Sequence, residues 1–267
     1  MLSSEPADFE MQKEQELFDT GAATHVGKVR ERNEDSYLSR PEAGIWAVAD
    51  GMGGHDSGDL ASRTIVEALQ EIEPAISAED LLKRCEDQVA SANRRLKTIS
   101  RERGGMIIGS TVAVLLACDS HYACVWSGDS RIYVVRAGEI TQLSRDHTEV
   151  QELLSQGVIT PQEAKNWPGG NVITRAIGVL DEPKLEMDSG PLQPGDSFVI
   201  CSDGLTQHVP DDEILSCVRE NLSQQACDKL LEIALDRGGL DNVTVIVVRY
   251  APGPPAGADA PPPELWE

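Results

Sequence analysis

Basic residues are scarce in this chain. Lys and Arg together number 23 against 45 Asp and Glu, a formal net charge of -22, and such a balance repels a phosphate backbone unless one face is locally basic. Nucleic acid is therefore not expected as a partner. Long apolar runs are lacking as well: no stretch approaches the roughly 20 apolar residues that a helix needs to cross a bilayer, so no membrane partner is expected either. The opening stretch MLSSEPADFEMQKEQELFD is acidic and polar, without the basic and apolar regions of a signal peptide. A cytoplasmic location is the resulting expectation. No C-x-x-C pair occurs among Cys85, Cys118, Cys124, Cys201, Cys217 and Cys227, so neither a zinc knuckle nor a disulfide framework is suggested. These cysteines read as small reduced core residues.

What is there is an ordinary globular composition, 40% apolar and 25% charged over 267 residues, enough chain for a substantial core. Residues 1–20 are charged and poorly periodic, and 251–267 (APGPPAGADAPPPELWE) are Pro-rich and poor in apolar residues; both read as tails. Residues 21–250 contain no internal repeat and no linker, which implies one domain. Apolar, β-branched runs predict strands at 44–49, 111–118, 122–126, 132–135, 198–201 and 243–248. Ala137-Gly138-Glu139 has the loop length and glycine placement of a hairpin. Helical spacing appears at 59–72, 78–101, 211–220 and 223–236. This order lacks a regular βαβ alternation, so a sheet or pair of sheets flanked by helices fits better than a doubly wound fold.

The strand ends carry the chemistry. Ile45 to Ala49 runs into Asp50-Gly51, Val125 to Gly128 into Asp129, Phe198 to Ser202 into Asp203-Gly204, and Asp241-Asn242 leads into the last strand. One Asp-Gly pair is a common turn. Four acids at the tips of buried strands are a different matter, because a rigid scaffold can converge them from distant parts of the chain. Acids so gathered repel one another unless protons or a cation intervene, and an all-oxygen donor set favours hard ions such as Mg²⁺ or Mn²⁺. A two-metal oxygen site suits hydrolysis of phosphate esters. Composition and spacing thus suggest a metal-assisted phosphohydrolase without naming its substrate.

Eight short words follow one another in order: Gly27 to Asp35 (GKVRERNED), Ala49 to His55 (ADGMGGH), Gly109-Ser110-Thr111, Ser127 to Arg131 (SGDSR), Asp146-His147, Thr174 to Gly178 (TRAIG), Cys201 to Leu205 (CSDGL) and Asp241 to Thr244 (DNVT). The ordered set closely resembles the bacterial metal-dependent protein serine/threonine phosphatases of the PP2C (PPM) family, over about residues 20 to 250. The resemblance implies an α+β fold, a central antiparallel β-sandwich flanked by helices in four layers, α-β-β-α. It implies Mn²⁺ or Mg²⁺ as cofactor. Asp50 would bridge two central ions, the Gly51 carbonyl would bind one of them, and Asp203 and Asp241 would complete the second. Asp35 looks like the acid that orients the reacting water, and Arg30 like the clamp whose fork pairs with two phosphate oxygens. Asp129 with Asp203 resembles the ligand pair for a third ion. His55 is open between a proton donor and a residue that shapes its loop: animal relatives carry their histidine directly after the D-G pair, where this chain has Met52. His25, His121, His147 and His208 read as structural.

Residues 144–172 match the family's flap, beside the active site and variable between members. The implied reaction is direct hydrolysis of phosphoserine and phosphothreonine in proteins by a hydroxide that bridges the metals, with no covalent phosphoenzyme. The implied partners are phosphorylated proteins, including a Ser/Thr kinase or its targets, and the chain is expected to act as a monomer. A pseudophosphatase would lack metal carboxylates, and none of the expected ones is missing. A phosphohydrolase acting on nucleotides or small phosphate esters is the other rival. The apparent absence of a P-loop weighs against an NTPase only.

Overall fold

The protein is described from a computed structural model, in which residues 17–53, 57–164, 167–169 and 172–252 are placed. His55, most of both expected tails and four residues of the 144–172 segment lie outside the described residues.

The chain enters through β1 (Phe18–His25), β2 (Asp35–Arg40) and β3 (Ile45–Met52), then forms α1 (Ser57–Gln70) and α2 (Ala78–Glu102). A run of strands follows: β4 (Gly109–Ser110), β5 (Val112–Cys118), β6 (His121–Ser127), β7 (Arg131–Arg136) and β8 (Glu139–Gln142). Two short helices, α3 (Glu149–Ser155) and α4 (Pro161–Ala164), precede β9 (Glu186–Pro191) and β10 (Ser197–Cys201). The chain then makes α5 (Asp203–Thr206), α6 (Asp211–Glu220), α7 (Ser223–Asp236) and β11 (Val243–Tyr250).

All strand pairs are antiparallel. One sheet has the order β1-β11-β10-β7-β8 and the other β2-β3-β5-β6-β9, with β4 added beside β3. Alternation along each strand explains the continuous apolar runs. On β3, Ile45, Ala47 and Ala49 pack toward α1 and α2, whereas Trp46 and Val48 face the other sheet. On β11, Val243, Val245 and Val247 face α6 and α7, and Ile246 and Val248 face inward. Antiparallel sheets often leave one face in water, but here helices cover the outer face of each. The result is the four-layer α-β-β-α arrangement expected from the motifs.

The long helices α1, α2, α6 and α7 present one apolar stripe each. Leu81, Cys85, Val89, Ala92 and Leu96 recur at steps of three and four along α2 and are all buried, and the Ser77 side chain caps its start by accepting from the Asp80 amide. The helices read at 211–220 and 223–236 are found with those bounds, and α1 starts two residues before the expected position. Among the described residues no helix is long and apolar enough to cross a membrane.

Four strands, β1, β2, β4 and β9, depart from the sequence reading. The first begins at Phe18, so Phe18, Asp19 and Thr20 belong to the sheet rather than to the tail assigned to residues 1–20. Its sequence, FDTGAATH, has little strand character of its own; it is made a strand by pairing residue for residue with β11, from Phe18 opposite Tyr250 to His25 opposite Val243, and by the Phe18 ring packing on Trp46 with centroids 5.0 Å apart. The ninth strand, EMDSGP, is a mostly exposed edge whose polar residues carry no apolar period.

Phe198 sits at the centre of the layer between the sheets, fully buried, with its ring 5.0 Å from that of Tyr122. Phe198→Ala should lower the unfolding free energy by about 3–5 kcal/mol, seen as a lower urea midpoint with an unchanged slope. A loss below about 1 kcal/mol, the usual size for surface positions, would show that this layer is not the core.

Candidate active site

The layer between the sheets is apolar along most of its length and turns polar at one end. On the inward-facing positions, Trp46 and Val48 are followed by Asp50, Phe198 and Ile200 by Ser202, and Ile246 is preceded by Thr244. Asp35 pairs across from Asp50 in the register of β2 and β3. Its Oδ2 accepts from Ser202 Oγ at 2.8 Å and from Thr244 Oγ1 at 2.7 Å, so one buried carboxylate ties the two sheets together where the apolar filling ends. Its Oδ1 is buried and has no hydrogen-bond partner among the described residues.

The Asp50 backbone is fixed on both sides. Its N–H donates to Thr111 Oγ1 at 3.0 Å and its carbonyl accepts from the Thr111 amide at 2.8 Å; Thr111 Oγ1 also shares a 2.7 Å hydrogen bond with Ser130. The Gly51 N–H donates to the Glu34 carbonyl. A Cβ at position 51 would run into the Gly58 carbonyl, so only glycine permits this approach of strand and helix. Asp203 opens the single turn of α5 and accepts from Gln207 Nε2 at 2.6 Å through Oδ2. Its Oδ1, like that of Asp35, is buried and has no partner among the described residues.

Asp241 and Arg30 meet face to face. Arg30 Nε donates to Asp241 Oδ1 at 2.9 Å and Nη2 to Oδ2 at 2.7 Å. The arginine expected to hold phosphate thus holds a carboxylate expected to hold metal. Asn242, which the sequence offered only as half of a short word, organises this corner: its Oδ1 accepts from the Glu34 amide, and its Nδ2 donates to the carbonyls of Val26 and Arg32. Three bonds from one side chain therefore shape the loop that carries Arg30.

Asp129 follows Gly128, whose positive φ of 116° and close approach to Thr111 suit glycine. The neighbouring Arg131 is engaged elsewhere, with Asp146 and the Tyr133 hydroxyl. His147 is buried beneath this turn: its amide donates to the Gly128 carbonyl, its Nδ1 accepts from the Gly128 amide, and its carbonyl accepts from Thr174. The turn bearing Asp129 is thereby bound to the base of the 144–172 segment, whose two ends meet in a bridge between Thr148 and Ile173. The helices of that segment, α3 and α4, bury none of their residues.

Burial and like charge push the acids in one direction. The Asp50 carboxyl is held well above the ordinary range, first by burial and then by Asp35, Asp203, Asp129 and Asp241. Asp35 is pushed up to about 7 by burial against the pull of its two hydroxyl donors, and Asp129 to about 7 by burial and then Asp203. Asp203 is raised by burial and by Asp241. Five acids from five separate stretches of chain thus form one electrostatic group. No three His, Cys, Asp or Glu side chains among the described residues close around a single point as a metal cage, and Asp241 has both oxygens on Arg30. Two buried, unpartnered carboxylate oxygens in a group of mutually repelling acids nevertheless fit a hard divalent cation, which supplies both the missing partner and the missing charge. Of the expected residues, Arg30, Asp35, Asp50, Gly51, Asp129, Asp203 and Asp241 converge here; His55 lies outside the described residues.

A family model described as protein phosphatase 2C matches residues 24–235. Serine/threonine protein phosphatase PstP of Mycobacterium tuberculosis is 38% identical over 228 residues, covering 85% of this chain and 44% of PstP. The chain therefore spans less than half the length of that relative. Serine/threonine phosphatase stp of Listeria monocytogenes is 34% identical over 239 residues, 84% of this chain and 93% of its own. Among solved structures, PppA of Pseudomonas aeruginosa, described as a regulatory component of T6SS, superposes with a TM-score of 0.82 at 38% identity, covering 88% of this chain and 98% of PppA. The catalytic domain of PstP in complex with two manganese ions gives 0.78 at 35% identity, covering 88% and 99%.

The raised carboxyls make a prediction about pH. In the unfolded chain these groups lose their protons near pH 4, while the folded, metal-free protein keeps them up to about pH 7 for Asp35 and Asp129. Between those values the unfolded state binds fewer protons, so stability falls as pH rises. His147, pushed down by burial and Arg175, opposes this as a single group. In chelator the protein should melt higher at about pH 5.5 than at about pH 8, and Mn²⁺ should narrow the gap by stabilising the ionised form. Calorimetric melts check this; the reverse order in chelator would mean that the acids are not held protonated together.

Proposed function

The chain belongs to the protein phosphatase 2C family, and from that premise we propose that it hydrolyses phosphoserine and phosphothreonine in proteins. The observation that carries this reading is the group of acids Asp35, Asp50, Asp129, Asp203 and Asp241, buried or half-buried and electrostatically linked, at the open end of the layer between the sheets. Asp50, the Gly51 carbonyl, Asp203 and Asp241 would hold two ions, Mn²⁺ or Mg²⁺, and Asp129 with Asp203 a third. The PstP structure with two manganese ions supports dependence on a divalent metal. When bound, such ions supply an activated water and neutralise charge on the phosphoryl oxygens.

The chain's own groups divide the remaining work. Arg30 presents the same fork to a phosphoryl group that it presents to the Asp241 carboxylate, since both offer two oxygens in one plane. Asp35, oriented through Oδ2 by Ser202 and Thr244, offers its Oδ1 to water as a hydrogen-bond acceptor. We assign residues 144–172 to the choice of substrate, because the helices α3 and α4 bury none of their residues and stand on a base joined to the Asp129 turn. The substrates in this reading are phosphorylated proteins, including a Ser/Thr kinase or its targets, met by a monomer in the cytoplasm.

Assays on a phosphothreonine peptide and on nucleotides, with Mn²⁺ and in excess chelator, test the proposal. The peptide should be hydrolysed only with metal and nucleotides poorly; full activity in chelator would overturn the metal assignment. Asp203→Asn should lower turnover by roughly 100-fold or more, since even groups behind a metal ligand cost 10–100-fold when removed. Arg30→Ala should chiefly raise KM for the peptide with kcat less affected. Unchanged kinetics in that variant would make Arg30 a partner of Asp241 only.

A further inference from the structure

Beyond the acids, β3 continues along the rim of its sheet. Gly51 and Met52 pair with Ser110 and Gly109 of β4, and Ser110 in turn exchanges both backbone hydrogen bonds with Ile177. Three segments of chain thus lie side by side and form a lip next to Asp50. Its inner side is closed by Ile108 and Ile177, at 1% and 0% exposure. Its outer side is apolar too: Ile107 is 68% exposed, Met106 42% and Val179 39%.

The side chains on this lip meet over a shallow floor. A Cβ built on Gly109 would lie 2.9 Å from Val179 Cγ2 and 3.0 Å from Met52 Cε, so Met52 and Val179 close above a position that has no side chain. A Cβ on Gly53 would lie 2.9 Å from the Ile107 carbonyl, which places the Ile107 loop against the end of the same strand. Ile107 follows Gly104 and Gly105, both with positive φ and with open space where a side chain would be, and Ser100 Oγ donates to the Met106 carbonyl at 2.6 Å, which ties this loop to the end of α2 while the Ile107 side chain stays exposed. Isolated exposed apolar residues need no explanation. Several gathered beside a candidate active site do.

We infer that this lip, formed by Met52, Ile107 and Val179, selects phosphoproteins that carry a large apolar side chain within about three residues of the phosphorylated one. The inference rests on the phosphatase reading. Its spacing comes from β3 itself: Met52 stands two residues beyond Asp50, about 7 Å at strand rise, which is the span of about two residues of an extended substrate, with the lip's side chains reaching one further. A segment whose phosphate is delivered to Asp50 therefore lays its flanking residues across the lip. The occupant is apolar because the lip offers methyl and thioether groups, and because a chain of net charge -22 disfavours an acidic flank.

The test uses the full chain loaded with Mn²⁺ and two kinds of substrate: p-nitrophenyl phosphate, which is too small to reach the lip, and phosphothreonine peptides in which one Leu is moved through the three positions on either side against an all-Ser background. The wild type should favour the best Leu peptide by roughly tenfold in kcat/KM, the scale of a partly buried apolar side chain. Ile107→Glu and Val179→Glu should remove that preference and leave hydrolysis of the aryl phosphate unchanged. The milder Ile107→Thr and Val179→Thr, checked for folding by circular dichroism, should give the same direction if a glutamate variant unfolds. No Leu preference in the wild type, or a preference that survives in folded variants, would overturn the inference. Equal loss on both substrate types would also overturn it, by showing that the lip supports the acids instead. Failure of the wild type to hydrolyse either substrate would instead bring down the phosphatase reading, and this inference with it.

Discussion

Holding several carboxylates together out of water is the constraint around which this molecule is arranged. A lone buried charge is costly, and like charges at close range add to that cost; Asp50, whose carboxyl is raised first by burial and then by four other acids, shows both effects at once. Such a group survives only where the surrounding structure is stable enough to impose it. The two sheets supply that stability, with their interior filled by Trp46, Leu115, Ile132, Phe198, Ile200 and Ile246. The polar end of the layer is a continuation of the same strands, so the acids inherit the rigidity of the apolar core.

The bonds around the acids divide into those that fix position and those left unmade. Ser202 and Thr244 hold Asp35, Thr111 holds the backbone of Asp50, and Asn242 holds the loop of Arg30. Among the described residues, Asp35 Oδ1 and Asp203 Oδ1 are left without partners. Buried polar atoms are seldom unpaired, and here two of them belong to carboxylates in one group. The unmet demand is for positive charge, which a divalent cation meets and which no hydrogen-bond donor can meet as fully.

Arg30 shows how one local interaction serves two chemistries. Its planar fork matches a carboxylate and a phosphoryl group equally well, and in this structure the partner is Asp241. Because that contact is partly exposed on both sides, it is screened by water and weak enough to exchange. The ion pairs around Glu186 and Asp146, by contrast, anchor the base of the 144–172 segment and are tied through His147 to the turn carrying Asp129.

Much of this was legible without a structure, for a physical reason. Strands buried on both faces betray themselves as unbroken apolar runs, as Val243 to Val248 does, and helices α6 and α7 follow from apolar spacing along their own residues. The acids were legible because each stands at one end of such a run, so local sequence alone placed Asp50, Asp129, Asp203 and Asp241 at strand tips. Only the tertiary structure decided what depends on contacts between distant residues. The strand at Phe18 to His25 exists because β11 lies beside it. Ser202 and Thr244 became partners of Asp35 across 167 and 209 residues of chain, and Arg30 found Asp241 across 211. Met52 and Val179 meet over Gly109 although nothing in their local patterns says so. Periodicity reports which way a side chain faces; which side chain it then meets is set by how the sheets and loops close on one another.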